Sequence, residues 1–306
     1  MFFGFFTGPA EFGRRGLKVK TMNRMMLEFA FQLAKNIEAK AVLLYADMIP
    51  DQHLVKAMED FQIILVTKGA QEVPKSFLDH VTVLNVPDVN LTRIGQVKIA
   101  ITKGIVMGQF KKGDRIVCLS GVPKFEYLDS LFVLDVGKEF EILTSEDIPD
   151  ITEVGYPEVF GTLLSIALEL AAQGREGRKV GTIFVLGDHE KVLQLSRQMI
   201  INPFMGYREE ERNILNTDLK ETIKELSAID GAFVIQNNGV IVTAGRHLSA
   251  ALESKDFPQG LGSRHIAAAG ITSITDAVAI VISESTGTVS VFKNGNVFVR
   301  IEKPNA

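Results

Sequence analysis

Residues 230–244 read DGAFVIQNNGVIVTA, and this stretch decides how the second half of the chain folds. Its two apolar, β-branched runs, 232–235 and 240–244, have the length of buried strands. The Gln-Asn-Asn-Gly segment between them favours a tight hairpin turn, because Asn and Gly tolerate the positive φ that such turns require. The stretch therefore predicts a β-hairpin with an Asp-Gly pair at its entrance.

The rest of the second half extends this pattern. Residues 289–293 and 297–301 flank an Asn-Gly-Asn segment and predict another hairpin. An amphipathic segment at 159–170 predicts a helix that ends at a Gln-Gly pair, and 180–186 predicts a buried strand. The second half is therefore predicted to be an α/β domain with a mixed sheet.

In the first half, runs of strand length alternate with helical patterns at 22–37 and 91–110. Met25 and Phe29 share the predicted apolar face of the earlier helix. The strand candidates are 41–45, 62–67, 81–86, 115–119 and 131–135. Such alternation is typical of a parallel sheet covered by helices, so the first half is predicted to be a parallel-sheet α/β domain.

The acidic, proline-containing stretch SEDIPD at 145–150 interrupts the pattern. It contributes little to a core, as is typical of a linker between domains. We therefore place a domain boundary there, with one domain over residues 1–150 and another over 151–306. A chain of 306 residues is long for one compact domain, which agrees with this division.

Composition argues against several classes of protein. The chain has 46% apolar and 23% charged residues, as folded globular proteins do, and its net charge of −4 offers no field that attracts nucleic acid or an anionic membrane. No apolar run reaches the roughly 18 residues of a spanning helix, and the amino terminus lacks the basic segment of a signal peptide. Cys118 lies in an apolar run and is expected to be a buried, inert thiol. These features predict a cytoplasmic protein.

A glycine-opened helix start supplies the first candidate site residues. Gly262-Ser263-Arg264-His265 precedes an Ala-rich segment, so the first backbone N–H groups of the helix are expected to favour phosphate. Arg264 adds a planar fork of donors and His265 a donor that responds to pH. The alternative is structural, with Ser263 as a helix cap and two solvated side chains.

Two carboxylates complete the candidate site. Asp230 precedes the hairpin, and Glu284 lies in the SESTG segment at 283–287. A carboxylate suits a hard divalent cation, whereas an Asp-Gly pair alone is more often a plain turn. With the helix start, Asp230 predicts a site for a metal ion and a polyphosphate.

In order and spacing these motifs resemble the diadenylate cyclase domain, over roughly residues 155–303. The first half resembles, more loosely, the carboxy-terminal allosteric domain of pyruvate kinase, through 92–110, KGDRIV at 112–117 and SGVP at 120–123. A pyruvate-kinase-like domain followed by a cyclase domain is the arrangement of the archaeal branch of the cyclase family.

The resemblance implies an enzyme that condenses two ATP molecules into cyclic di-AMP with Mn2+ or Mg2+. Asp230 would bind the metal and help activate the attacking 3′-hydroxyl, and Asp230, Arg264 and His265 would be the catalytic residues. The nucleotide-binding residues that it implies are Gly231, Ala232, Leu248, Gly262, Ser263, Arg264 and His265, with backbone contact to adenine at Leu248. Glu284 either lies near the metal or is an exposed residue at a strand end.

Because one such domain holds one ATP, the resemblance also implies that two chains face each other. The amino-terminal domain would hold chains together or bind a small-molecule regulator, and the sequence leaves its role open. Most members of the family carry a second arginine where this chain has Ile266, and Arg246 and Lys255 are candidates to replace it. Two further hypotheses are therefore a catalytically weakened sensor of ATP or a cyclic dinucleotide, and an assembly scaffold.

Overall fold

The protein is described from a computed structural model over residues 9–49, 62–69, 73, 81–122, 127–138, 156–249 and 262–302, with side chains described in these ranges except at 9–18 and 122. Two compact units divide the chain, Met1–Val86 with Gly113–Val136 and Pro87–Lys112 with Gly137–Ala306. Each contains one β-sheet with helices, so the predicted α/β class is confirmed. The predicted boundary at 145–150 lies outside the described residues. Within these ranges no helix has the length and apolar character needed to cross a membrane.

The first unit is a five-stranded sheet in the order β3-β2-β1-β4-β5. Its elements are α1 (Pro9–Asn36), β1 (Ala41–Tyr45), β2 (Gln62–Lys68), β3 (Val81–Val86), β4 (Arg115–Val122) and β5 (Tyr127–Asp135). The first four strands are parallel, as predicted, whereas β5 runs antiparallel to β4. The connection from β4 to β5 is too short for a crossover, because a parallel return needs about a dozen residues or more.

The buried face of α1 differs from the predicted one. Met25 is 64% exposed and Phe29 is also exposed. The face that is buried comprises Asn23, Leu27, Ala30, Phe31 and Ala34. Asn23 sets this orientation, since its amide donates to the carbonyl of Met48 at 3.1 Å and its side-chain oxygen accepts from the backbone N–H of Leu128 at 2.8 Å. Prediction from large apolar residues alone missed the polar residue that orients the helix.

The environment of Cys118, in the first unit, agrees with the buried thiol predicted from the sequence. Cys118 lies in β4 and is fully buried. Burial raises the pKa of its thiol, so the thiolate is disfavoured. The predicted inert thiol is confirmed.

The second unit is built on a seven-stranded sheet in the order β12-β11-β10-β6-β8-β9-β7. Its elements are α2 (Arg93–Val106), α3 (Pro157–Gln173), β6 (Ile183–Leu186), α4 (His189–Gln194), β7 (Ser196–Gln198), α5 (Leu219–Leu226), β8 (Ala232–Ile235), β9 (Ile241–Leu248), α6 (Ser263–Ile274), β10 (Val278–Ile282), β11 (Val289–Lys293) and β12 (Asn296–Ile301). Strands β6 and β8 are parallel and the other pairs are antiparallel, which confirms the predicted mixed sheet.

Helix α6 lies on one face of this sheet and positions the site. Ala268, Ala269 and Ile271 are buried in an apolar cluster with Val281 of β10 and Phe292 of β11. Small alanine side chains let the helix approach the strands closely, and burying each large apolar side chain contributes about 1.5–3 kcal/mol. The first turn of α6 is therefore held in a fixed place beside the ends of β10 and β11.

Candidate functional site

The Asp-Gly pair at 230–231 forms the entrance to β8. Gly231 has φ 113°, and a Cβ atom there would lie 2.7 Å from the backbone nitrogen of Arg246 and the carbonyl carbon of Gly245. Only glycine fits, because both the positive φ and the close backbone of β9 exclude a side chain. The side chain of Asp230 is 86% exposed, and Ala232 is fully buried at the start of the strand. The tight entrance thus presents a carboxylate to solvent at a fixed point.

Helix α6 begins at Ser263 with Gly262 as its N-cap, and no side chain caps it. The backbone N–H groups of His265 and Ile266 donate to the carbonyl of Gly262. Within the described ranges the N–H groups of Ser263 and Arg264 have no hydrogen-bond partner. The alternative in which Ser263 caps the helix is therefore wrong, and the helix start keeps two free donors with the partial positive charge of the dipole.

Arg264 joins the two carboxylates that the sequence singled out. Its Nη2 donates to Oδ1 of Asp230 at 3.0 Å and its Nη1 to Oε2 of Glu284 at 3.0 Å. Gly181 makes room for this arrangement, because a Cβ atom there would lie 2.6 Å from Nη1 of Arg264. Arg264 is 30% exposed and Glu284 59% exposed, so each pair stabilises the fold by only about 0–1 kcal/mol. Weak, exposed pairs of this kind exchange readily for a more highly charged ligand.

His265 lies on the inner side of the same turn. It is buried, and its ring meets that of Phe292 edge-on with the centroids 5.9 Å apart. Burial lowers the pKa of this histidine, and the positive charges of Arg300 and Arg264 lower it further. The imidazole is therefore neutral near pH 7 and offers one donor and one acceptor rather than a charge.

A cavity of about 840 Å³ opens at this helix start. Its volume is within the range typical of sites for small molecules and cofactors. The lining residues are Arg178, Lys179, Gly262, Ser263, Arg264, His265, Ile282, Ser283, Glu284, Ser285, Thr286, Thr288, Ser290 and Arg300. Four of the predicted site residues at 262–265 thus line one cavity, together with Glu284 and basic residues that the sequence analysis did not single out.

The segment from Ser283 to Thr288 forms a hydroxyl-rich turn on the cavity wall. The backbone N–H of Ser283 donates to the carbonyl of Thr288 at 2.9 Å, and Thr286 Oγ1 donates to Thr288 Oγ1 at 2.9 Å. Lys179 Nζ donates to the carbonyl of Ser285 at 2.8 Å, which ties the strand-entry segment to this turn. Glu284 lies in this turn beside Arg264. From the sequence alone it was either a residue near the metal or an exposed residue at a strand end.

Residues 230–232 do not line the cavity, and neither do two further candidates. Leu248 is buried in the apolar cluster beneath α6. The guanidinium of Arg246 donates to Ser196 Oγ at 2.8 Å and to the carbonyl of Leu193 at 2.8 Å, so it is committed to structure. Lys255 lies outside the described residues. Arg246, proposed to replace the arginine usual at position 266, therefore does not line the cavity.

Family models match a part of each half of the chain. Residues 169–297 match the family described as DisA bacterial checkpoint controller nucleotide-binding, abbreviated DAC. Residues 22–144 match the family described as "Probable sensor domain DacZ_P". Neither description tests the looser likeness of the first half to pyruvate kinase, which stays a prediction.

Several relatives carry names that agree with the first match. A protein from Methanocaldococcus jannaschii named diadenylate cyclase is 39% identical over 202 residues, 64% of each chain. One of the same name from Haloferax volcanii is 41% identical over 148 residues, 48% of this chain and 53% of the relative. The cyclic di-AMP synthase CdaA of Bacillus subtilis is 46% identical over 67 residues, 22% of this chain and 24% of the relative. The matches thus span less than two thirds of these relatives' lengths. Residues 169–297 are therefore similar to the diadenylate cyclase (DAC) domain family, and residues 22–144, which precede them in the sequence, are similar to the DacZ_P family.

Proposed function

We propose that the protein is a nucleotidyltransferase that condenses two ATP molecules into cyclic di-AMP and releases two pyrophosphates. The observation that carries the proposal is the Arg264 bridge between Asp230 and Glu284 beside the cavity at the start of α6. In each of two steps a 3′-oxygen bonds to the α-phosphorus of the other ATP. The bond from that phosphorus to its bridging oxygen breaks, pyrophosphate leaves, and the hydroxyl proton is lost.

The exposed carboxylate and the arginine have separate tasks in this scheme. Asp230 projects into solvent from a rigid turn, where it can hold the ribose 3′-hydroxyl and accept its proton. Arg264 exchanges its carboxylate partners for phosphate oxygens, to which its planar fork is well matched. Phosphoryl transfer depends mainly on positioning and on the stabilisation of developing negative charge, and these two residues supply both.

Asp230 and Glu284 form a donor set that fits a divalent cation shared with the substrate. Within the described ranges no three His, Cys, Asp or Glu side chains gather into a metal cage. Mg2+ is commonly held by one or two carboxylates together with substrate phosphates, and Mn2+ accepts the same oxygen ligands. The two carboxylates would hold the cation, which when bound neutralises phosphate charge and makes the attacking hydroxyl more acidic.

Two chains complete the proposed active unit. The described residues of one chain contain one Asp230 carboxylate and one cavity at α6, and the product joins two nucleotides through two equivalent bonds. A symmetric pair of facing chains supplies two equal sites, each acting on the 3′-hydroxyl of its own ATP. In this scheme the substrate is ATP, and the self-associating partner is a second copy of this chain.

The experiment is to incubate the full chain with ATP and Mn2+ or Mg2+ and to detect cyclic di-AMP by mass spectrometry. The two-chain part has its own test, in which an excess of Asp230→Asn chains is mixed with unaltered chains. A mixed pair has one working carboxylate, so it should form one bond and accumulate the linear dinucleotide with a 5′-triphosphate. If the excess variant neither inhibits cyclisation nor yields the linear product, the facing-chain scheme is wrong.

A binding protein with little turnover is the second candidate. Ile266, where most members of the family carry an arginine, is 38% exposed and does not line the cavity. If the chain binds ATP with millimolar affinity or better, about 4 kcal/mol, and forms no product with either metal, the sensor function replaces the enzymatic one.

A further inference from the structure

The strand pair β11–β12 places a serine and an arginine side by side at the cavity. Ser290 of β11 lies directly opposite Arg300 of β12 in the antiparallel register. Residues opposite each other in such a pair project from the same face of the sheet, with their Cβ atoms about 4.5–5.5 Å apart. Both residues line the cavity, so this face of the hairpin forms part of its wall.

This face of the hairpin is the one covered by α6. Phe292 follows Ser290 by two residues on β11, and side chains alternate along a strand, so the two share a face. Phe292 meets the ring of His265 in the first turn of α6. Arg300 lies close enough to His265 to help lower the pKa of the imidazole. Three separate observations therefore put Ser290 and Arg300 beside the helix start.

The polar groups of this wall lack partners in the described part of the chain. Ser290 is fully buried, and its Oγ has no hydrogen bond there. Arg300 is half-buried and forms no ion pair with a described residue. Buried hydroxyl groups are nearly always hydrogen-bonded in folded proteins, so an unpaired one at a cavity wall is available to donate to a ligand.

The ligand that suits this wall is an oxyanion with several negative charges. Ser263 and Arg264, whose backbone N–H groups have no partner among the described residues, line the same cavity, and helix starts of this kind favour phosphate. We propose that Arg300 and Ser290, with the amino end of α6, form a polyphosphate-binding subsite. The guanidinium of Arg300 spans two phosphate oxygens and the hydroxyl of Ser290 donates to a third. The subsite rests on the proposed function only in assigning the polyphosphate to ATP.

The test measures binding of inorganic tripolyphosphate to the full chain by calorimetry at one fixed ionic strength. Arg300→Gln should weaken binding by about 10- to 100-fold, Ser290→Ala by about tenfold, and Arg300→Lys by less than Arg300→Gln, since charge-assisted hydrogen bonds to phosphate are lost in that order. Thermal unfolding of each variant shows whether the fold is kept.

Lys191→Gln is the matched control. Lys191 lies on α4 beyond the carboxyl end of β6, whereas the cavity lies near the amino end of that strand, so the variant removes one positive charge far from the subsite. It should bind tripolyphosphate as the unaltered chain does. If Lys191→Gln and Arg300→Gln weakened tripolyphosphate binding equally, the loss would come from the change in net charge alone, and the proposal would be overturned. Unchanged binding by both Arg300→Gln and Ser290→Ala, or no binding by the unaltered chain, would overturn it too.

Product formation separates this proposal from the proposed function. If the unaltered chain binds tripolyphosphate through Arg300 but makes no cyclic di-AMP, the subsite stands and the enzymatic function fails. If Arg300→Gln makes cyclic di-AMP with an unchanged KM for ATP, the function stands and the subsite fails. The expected result is a KM for ATP that rises about tenfold or more in Arg300→Gln.

Discussion

The two sides of the cavity are built in different ways. On the outer side, the half-buried Arg264 forms ion pairs with the exposed carboxylates of Glu284, which lines the cavity, and of Asp230, which lies outside the lining. On the inner side, His265 and Ser290 are buried and fixed by the packing of α6 on β11. The outer side can therefore rearrange around a substrate at little cost, whereas the inner side is set before the substrate arrives. Substitutions of the outer side chains should change activity with little effect on stability, and substitutions on the inner side should change polyphosphate binding or the pH dependence of stability.

Arg264→Gln should have the largest effect among the four variants that compare the two sides. It removes the charged fork from the outer side, and we expect activity to fall by about 10²–10³-fold, as when a donor to the developing charge is lost. The free energy of unfolding should change by less than about 1 kcal/mol, because both ion pairs are exposed. The control is Arg208→Gln, which removes an exposed pair with Glu211 at 3.2 Å and should leave activity unchanged. Loss of stability as large as the loss of activity would show that Arg264 is a structural residue.

Gly231→Ala tests whether the outer side depends on a rigid entrance to β8. The variant combines a positive φ with a Cβ atom 2.7 Å from backbone, and we expect it to destabilise the fold by about 1–3 kcal/mol. Gly177→Ala is the control, since Gly177 has φ 75° with open space around its Cβ position. Denaturant unfolding should show the smaller loss at Gly177. If both variants lost the same free energy of unfolding, the close contact between residue 231 and β9 would not contribute to stability.

His265 links the inner side to pH. Its folded-state pKa is below the ordinary value of about 6.5, so as pH falls below that value the unfolded chain takes up a proton that the folded chain resists. This residue therefore lowers stability as the solution is acidified, by at most about 1.4 kcal/mol per pH unit, and has no such effect above about pH 7.5. Unfolding measured between pH 8 and pH 5.5 should show a shallower loss in His265→Asn. If the stability of His265→Asn and of the unaltered chain depended on pH in the same way, His265 would not be a source of the pH dependence.

Ser290→Ala should have the smallest effect on stability. Its hydroxyl has no partner in the described structure, so the free energy of unfolding should change by less than about 1 kcal/mol. Thr182→Val is a matched control, because Thr182 Oγ1 is also buried and unpaired there. Both variants should unfold nearly as the unaltered chain does, and only Ser290→Ala should weaken tripolyphosphate binding. A marked loss of stability in Ser290→Ala would show that the hydroxyl stabilises the fold instead of binding a ligand.

Much of this architecture could be predicted from local patterns. Hairpins follow from Asn-Gly turns, and the helix start at Gly262 follows from the break before an Ala-rich segment. Strand β9 nevertheless continues to Leu248, past its predicted end at 244, because it pairs with β7. The three residues of β7, Ser-Arg-Gln, have no apolar pattern from which a strand could be predicted.

The inner side of the site could not be predicted for a similar reason. In sequence, Arg300 is an ordinary polar residue near the end of a strand, and Ser290 a small one between two valines. Only the register of β11 with β12 and the packing of α6 bring them to one cavity. Register depends on long-range pairing, which residue spacing does not reveal. Asp230, Arg264 and Glu284 could be singled out from the sequence because each lies in a short motif of its own.

Formation of cyclic di-AMP by Asp230→Asn shows whether the Asp230 carboxylate takes part in the reaction. The measurement is product per chain with Mn2+ or Mg2+, compared with the unaltered protein and with Asp218→Asn, which changes an exposed carboxylate that makes no side-chain cap at the start of α5. We predict that the unaltered chain and Asp218→Asn form product, and that Asp230→Asn loses about 10²–10⁴-fold of the activity at an unchanged unfolding midpoint. Full activity in Asp230→Asn, or no product from the unaltered chain with either metal, would contradict the account.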